Sequence, residues 1–230
     1  MEGIVKNHRH GENVIIYEGA EIDESAEIGH FSIIYPNVVI KSGVRISSSV
    51  IIGKRPSVGK NQVALNEIKD PTLIAEGVFI GDQAIVYDGA KIGKGTYLAD
   101  KCLIRENVVL GEQVVIGTMV VVSFSAVIGD GSKVMTGSNI CGNMIIGENV
   151  FVGVHVCAVA DNTPHSLSVR EEHRGPVLSD GVFIGSNVTL LPNVKISKGI
   201  TVGSGSIVSK DLDQENSFYM GSPAKFYKLK

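Results

Sequence analysis

A large aliphatic side chain returns at every sixth position over almost the whole chain. No helix, and no ordinary set of hairpins, accommodates that period. Ile22, Ile28, Ile34, Ile40, Ile46 and Ile52 form one series, with Val58 continuing it before it lapses. A second series runs from Ile74 through Ile80, Val86, Ile92 and Leu98 to Ala158, and a third runs from Leu178 through Ile184, Leu190, Ile196 and Val202 to Val208. A helix face needs apolar residues at spacings of three and four, and hairpins space their turn signals more widely and less regularly. Two positions before each large residue the side chain is usually small or β-branched, as at Ala20, Ala26, Ser32 and Val38, or at Ala90, Thr96, Cys102 and Val108. Residues two apart share one face of a strand, so each hexad offers a short strand with two inward side chains. Glycine recurs one position after the large residue, at Gly29, Gly93, Gly111, Gly129 and Gly185 among others, where it is expected to supply the backbone angles of a corner. Strand and corner at a fixed period describe a triangular coil whose neighbouring turns pair as parallel strands, an all-β solenoid.

Composition narrows the function classes. The chain has 230 residues, 43% of them hydrophobic, and a net charge of −3 without a long basic run, so the electrostatic footprint of a nucleic-acid binder is missing. No apolar segment approaches the roughly 20 residues of a membrane span, and no signal peptide opens the chain, so the expected location is the cytoplasm. Cys102, Cys141 and Cys157 have neither a CxxC spacing nor an even count, and each is read as a small apolar filler.

The rhythm breaks twice. "GKRPSVGKNQVALNEIKDPT" separates Ile52 from Ile74, and "ADNTPHSLSVREEHRGPV" lies between Ala158 and Leu178. Taken as coils of three hexads, the first gap is one coil plus four residues and the second is one coil plus two. Part of each coil is therefore expected to leave the prism as a loop, over residues 53–72 and 159–177, between a lead-in of 1–17 and a C-terminal tail of 209–230. Loops carried by a rigid scaffold are where chemistry is commonly placed.

The hexads, the run "VFIGSNVTLLPNVKISKGITVGSGSIVSKDL" and the closing "GSPAK" resemble the hexapeptide-repeat acyltransferases, over nearly the whole chain. The resemblance implies a left-handed parallel β-helix of roughly nine coils, a hand that β-crossovers otherwise almost never show. It also implies a homotrimer and transfer of an acyl group from a coenzyme A or carrier-protein thioester, with acetyl-CoA as cosubstrate. Within that family no nucleotidyl-transfer domain or helical domain precedes the hexads here, which leaves the sugar-modifying branch. The leading expectation is N-acetylation of a nucleotide-linked amino sugar for surface glycan synthesis. The alternatives are O-acetylation of a sugar hydroxyl and a trimeric scaffold without catalysis.

The resemblance further implies a histidine general base on a loop after the long run of hexads, which His165 in "DNTPHS" matches, with Asp161 or Asn162 orienting its ring. His155 is the rival, because related amino-sugar acetyltransferases carry a catalytic histidine at an outward position of the coil wall. Imidazole titrates near neutrality and suits removal of the acceptor's proton. Phosphopantetheine is expected along the corners at Gly185, Ser186, Gly203 and Ser204, with Lys210 and Lys225 toward the adenosine phosphates. Lys54, Arg55 and Lys60 in the first interruption, and Arg170, His173 and Arg174 in the second, suit a sugar-nucleotide diphosphate, although such clusters are also ordinary solvated surface. Catalytic zinc needs three converging ligands, and His155, His165 and His173 are not spaced for it, so no metal is expected. Outward Val39, Ile51, Phe124 and Phe151 are candidates for trimer contact or for packing under loops.

Overall fold

The computed structural model describes residues 10–57, 68, 70–161 and 174–229. Among them every regular element is a β-strand, and no helix is long and apolar enough to cross a membrane. The strands make three sheets that form the faces of a triangular prism. The first face begins at Ile15–Ile16 and has ten strands, and the second begins at Glu21–Ile22 and has nine. The third begins at Glu27–Ile28 and has eleven, of which the last two, Ser217–Met220 and Lys225–Leu229, form a terminal hairpin. Pairing between coils is parallel with a register of 18 residues: Ile15 faces Ile33, and Ile33 faces Ile51. The chain is thus a left-handed β-helix of about ten turns, close to the nine coils expected. Its regularity starts one hexad before Ile22.

Both inward positions of the hexad are where the period puts them. The large residues, such as Ile34, Ile80, Ile104 and Ile140, have no exposed surface, and each contributes roughly 1.5–3 kcal/mol of burial. The small inward hydroxyls tie one coil to the next. Ser132 Oγ donates to Gly147 O at 2.8 Å and accepts from Val150 N–H at 2.9 Å, and Ser138 repeats this with Gly153 O and Val156 N–H. Buried hydroxyls are therefore satisfied rather than merely small.

The recurring glycine has a different cause from the one its spacing suggests. Of the glycines that follow the large residue, only Gly53 has a positive φ. What they share is closeness to the next coil: a Cβ on Gly129 would lie 2.7 Å from both the carbonyl carbon and the oxygen of Gly147. The left-handed corner sits two residues later, at the third position after the large side chain, as at Asn37 (φ 63°), Gly77 (φ 65°), Asn107 (φ 57°) and His155 (φ 56°). Asn and Gly dominate there because they tolerate this conformation best.

The two interruptions are also differently built from the coil-plus-remainder expectation. Ile51 pairs with Ile85, 34 positions on instead of 18, so 16 residues are inserted in a single corner. Ile145 pairs with Val177, 32 positions on, so the second insertion adds 14. No coil is lost, and the excess leaves at one edge. Strand residues reach Lys54 before the first insertion, resume at Thr72, and resume at Val177 after the second, which narrows the expected loop bounds. Both insertions leave from the edge between the first and second faces, five coils apart, about 24 Å at the usual strand spacing. Val39, Ile51 and Phe151 lie on three different faces, and Phe124 folds over Gly142 at an edge, so they do not form one patch.

Two classes of glycine predict two responses to alanine. Gly129→Ala meets backbone on the next coil and is expected to lower stability by more than about 4 kcal/mol. Gly77→Ala, whose Cβ would meet nothing within 4 Å, costs only the left-handed strain of about 1–2 kcal/mol. Denaturant titration of both variants checks the difference, and equal losses would contradict it.

Candidate functional site

His155 is the corner residue between Phe151–Val152 on the third face and Cys157–Ala158 on the first, not a wall residue as its spacing suggested. Its N–H donates to Thr136 O at 3.1 Å, which fixes the backbone to the preceding coil. A Cβ on Gly137, one coil below, would lie 2.5 Å from both Cε1 and Nδ1 of His155. The ring therefore occupies the space that any other residue at 137 would fill. Nε2 belongs to the ring edge farther from Gly137, on an exposed side chain.

The expected donor residues stack on this same corner. Gly185 and Ser186 lie one coil beyond Gly153 and Val154, and Gly203 and Ser204 lie two coils beyond. Asn187 N–H donates to Val154 O, and Gly205 N–H to Ser186 O, which holds the stack in line. Three of the four backbone donors expected to serve a ligand are engaged within the solenoid. Gly185 N–H donates to Val202 O, Gly203 N–H to Tyr219 O, and Ser186 N–H to Ser204 Oγ at 3.1 Å. What the corner offers outward is narrow relief and small polar side chains.

The second insertion begins and ends at the opposite edge of the first face, level with His155. Asp161 opens it, and Arg174 closes it with its carbonyl accepting from Asn193 N–H. Asn162, His165, Arg170 and His173 lie outside the described residues. The chain re-enters the prism at Gly175, where a Cβ would lie 2.6 Å from Met144 Cα.

Lys54 and Arg55 are not brought to this place. They root the first insertion, about 24 Å along the prism axis from His155. Lys54 Nζ stands 5.5 Å from the Tyr87 ring centre, and Arg55 Nε is 3.6 Å from the buried Asp88 carboxylate. One coil on, Arg105 forks onto the buried Glu106 at 2.7 and 3.0 Å and stacks 4.9 Å from the same Tyr87 ring. These cations are held by carboxylates and an aromatic ring of the fold, and Lys60 lies outside the described residues. Lys210 is exposed beyond the last first-face strand, and Lys225 begins the exposed terminal strand.

The three thiols separate by burial. Burial pushes the Cys102 and Cys141 thiols up to about 12, while Cys157 is exposed on the first face rather than filling the core. Among the described residues no group of three or more His, Cys, Asp and Glu side chains is placed to hold a metal ion.

Comparisons with known proteins set this geometry in context. No family model matches the chain. YvoF of Bacillus subtilis, which bears an acetyltransferase name, is 40% identical over 62 residues, 26% of this chain and 36% of that protein. Serine acetyltransferase 4 of Arabidopsis thaliana is 44% identical over 52 residues, 23% of this chain and 14% of that protein. The chain thus spans little more than a third of the length of YvoF, and less of the plant enzyme. The solved structure of Arabidopsis UDP-N-acetylglucosamine acyltransferase superposes with a TM-score of 0.60 over 94% of this chain and 73% of that one, at 15% identity. At that identity the likeness is one of fold.

Two outcomes test the corner. Gly137→Ala should displace the His155 ring and shift its imidazole NMR signals, whereas Gly181→Ala, a left-handed glycine with nothing within 4 Å of its Cβ, should leave them in place. Iodoacetamide at pH 8 should modify Cys157 alone, because thiols near 12 hold only about one part in 10⁴ as thiolate at that pH. Mass spectrometry of the alkylated protein reads this directly.

Proposed function

We propose that this chain is a hexapeptide-repeat acyltransferase that moves an acetyl group from acetyl-CoA to the amino group of a nucleotide-linked amino sugar. It works as a homotrimer in the cytoplasm and serves surface glycan synthesis. The observation that carries the reading is His155, exposed and seated on Gly137, at the corner where Ser186 and Ser204 stack over the neighbouring Val154. The acetyltransferase names of the sequence relatives support the reaction class. The fold it shares with a UDP-sugar acyltransferase supports a prism on which two extended ligands can meet.

In this reading the free amine of the acceptor attacks the thioester carbonyl carbon while His155 Nε2 takes a proton from the nitrogen. The tetrahedral intermediate collapses, the C–S bond breaks, and the departing thiolate takes the proton from the imidazolium. The products are the amide and free CoA, with no covalent enzyme intermediate. The pantetheine arm lies along the corner of Gly185, Ser186, Gly203 and Ser204, and Lys210 and Lys225 face the adenosine end. Asp161 and Arg174, with Asn162, His165, Arg170 and His173 of the insertion between them, serve the sugar nucleotide. Lys54, Arg55 and Lys60 do not share that diphosphate, because five coils of axial offset persist within a protomer. The offset persists also between protomers related by an axis parallel to the prism.

Thiol release from acetyl-CoA, measured against a panel of UDP- and dTDP-linked amino sugars and their hydroxyl counterparts, tests the reaction. Turnover with an amino sugar is expected, and turnover confined to hydroxyl acceptors would make the enzyme an O-acetyltransferase. His155→Ala should lose at least about 100-fold in kcat, the usual worth of a general base. Gly137→Ala should lose about tenfold or more through the displaced ring, on the same general-base scale. An undiminished His155→Ala with an inactive His165→Ala would transfer the base to the insertion.

A further inference from the structure

The outward column of the first face is branched and apolar along most of the prism, at Ile15, Ile33, Ile51, Ile85, Leu103 and Val121, and again at Ile207. Three consecutive coils break it with Asn139, Cys157 and Thr189, which face one another in register. Stability does not explain the exchange, since asparagine is among the residues strands disfavour and the column's own solution is Ile or Val. The three residues coincide with the only stretch of this face bounded by His155 at one edge and the ends of the second insertion at the other. Asn139 is held in orientation, with Nδ2 donating to Ala158 O at 3.3 Å. On the other coils the corresponding carbonyl takes a backbone N–H, as Ile140 O does from Ser123. The interruption of the ladder and the polar side chains therefore fall at one spot.

We infer that Asn139, Cys157 and Thr189 form the seat of the acceptor: a shallow polar strip that reads the hydroxyls of a hexose ring and turns its reacting group toward His155. The inference rests on the function proposed above and adds which face and which side chains receive the sugar. The strip spans two coil spacings, about 10 Å, enough for one sugar ring and the start of its phosphate. An oriented amide at one end and a threonine hydroxyl at the other supply donors and acceptors that match a polyol. The small thiol between them leaves room that the aliphatic residues elsewhere in the column would fill. Specificity of this kind is strong because a polar site pairs its groups only with the ligand that carries the complementary hydroxyls.

Asn139→Val and Thr189→Val restore the column's own residue type, so both should fold. Each should raise the acceptor KM at least tenfold and leave the KM for acetyl-CoA within twofold. Unchanged acceptor KM in both variants, with His155→Ala still inactive, would overturn the strip while leaving the reaction standing. A second readout does not need turnover. Alkylation of Cys157 by iodoacetamide in the wild-type chain should slow at least fivefold with a saturating amino sugar nucleotide of the panel, and should not slow with CoA alone. If no panel member is turned over, protection by one of them still supports the strip, and absence of protection by all of them overturns it. A Thr189→Ser variant, keeping the hydroxyl, should recover acceptor KM to within threefold of wild type, whereas a purely structural role would follow side-chain bulk instead.

Discussion

Everything in this molecule follows from the requirement that each coil lie one strand spacing from the next. At about 4.8 Å there is room for one backbone ladder and no more. That limit leaves no space for a Cβ on many of the glycines that follow the large residues, as at Gly93, Gly111 and Gly129. It stacks the large aliphatics into continuous columns, and it makes inward hydroxyls such as Ser132 and Ser138 useful as links between neighbouring turns. It also places residue n directly over residue n − 18, so that any feature of a coil is repeated or contrasted by the coils around it.

His155 acquires its setting through this repetition. Its corner is the one that Asn13 and Asn187 occupy on other coils, and the imidazole takes a left-handed position that the fold provides at this edge on every turn. What differs is the floor, since Gly137 lends the ring its resting surface. The buried Asp88 and Glu106 at the other insertion show the contrary use of an edge. There, buried carboxylates are answered by cations, Asp88 by Arg55 at the root of the insertion and Glu106 by the adjacent Arg105.

The architecture was legible in the sequence because the inward positions of a solenoid obey one spacing without exception over long runs. The period located the large and small core residues, the number of coils and the two interruptions. It could not say how the interruptions close, since 22 residues between Ile52 and Ile74 are equally a coil with four added or a hexad with sixteen added. Only the pairing of Ile51 with Ile85 distinguishes these. The corner glycines were misread for a related reason: a glycine required by a neighbour 18 residues away looks, in one dimension, like a glycine required by its own φ. The outward positions were the least legible. Cys157 resembled Cys102 and Cys141 as a filler until the alternation of inward and outward side chains put it on the surface. Aligning the hexads by face, rather than reading them in series, would have exposed Asn139, Cys157 and Thr189 as a break in an aliphatic column. Asn162 and His165 carry no such regularity and depend on resemblance, and Arg170 and His173 depend on charge.

The C-terminal segment finishes the prism on all three sides. Leu212 bridges Ile196 on the second face, Phe218 and Tyr219 pair with Thr201 and Val202 on the third, and Gly221 and Ala224 exchange hydrogen bonds with Ile207 on the first. An open solenoid end presents three rows of unpaired peptide groups at the repeat distance of its own turns, a template on which another copy could continue the stack. Closing that end with irregular chain and an antiparallel hairpin removes the template for head-to-tail growth there.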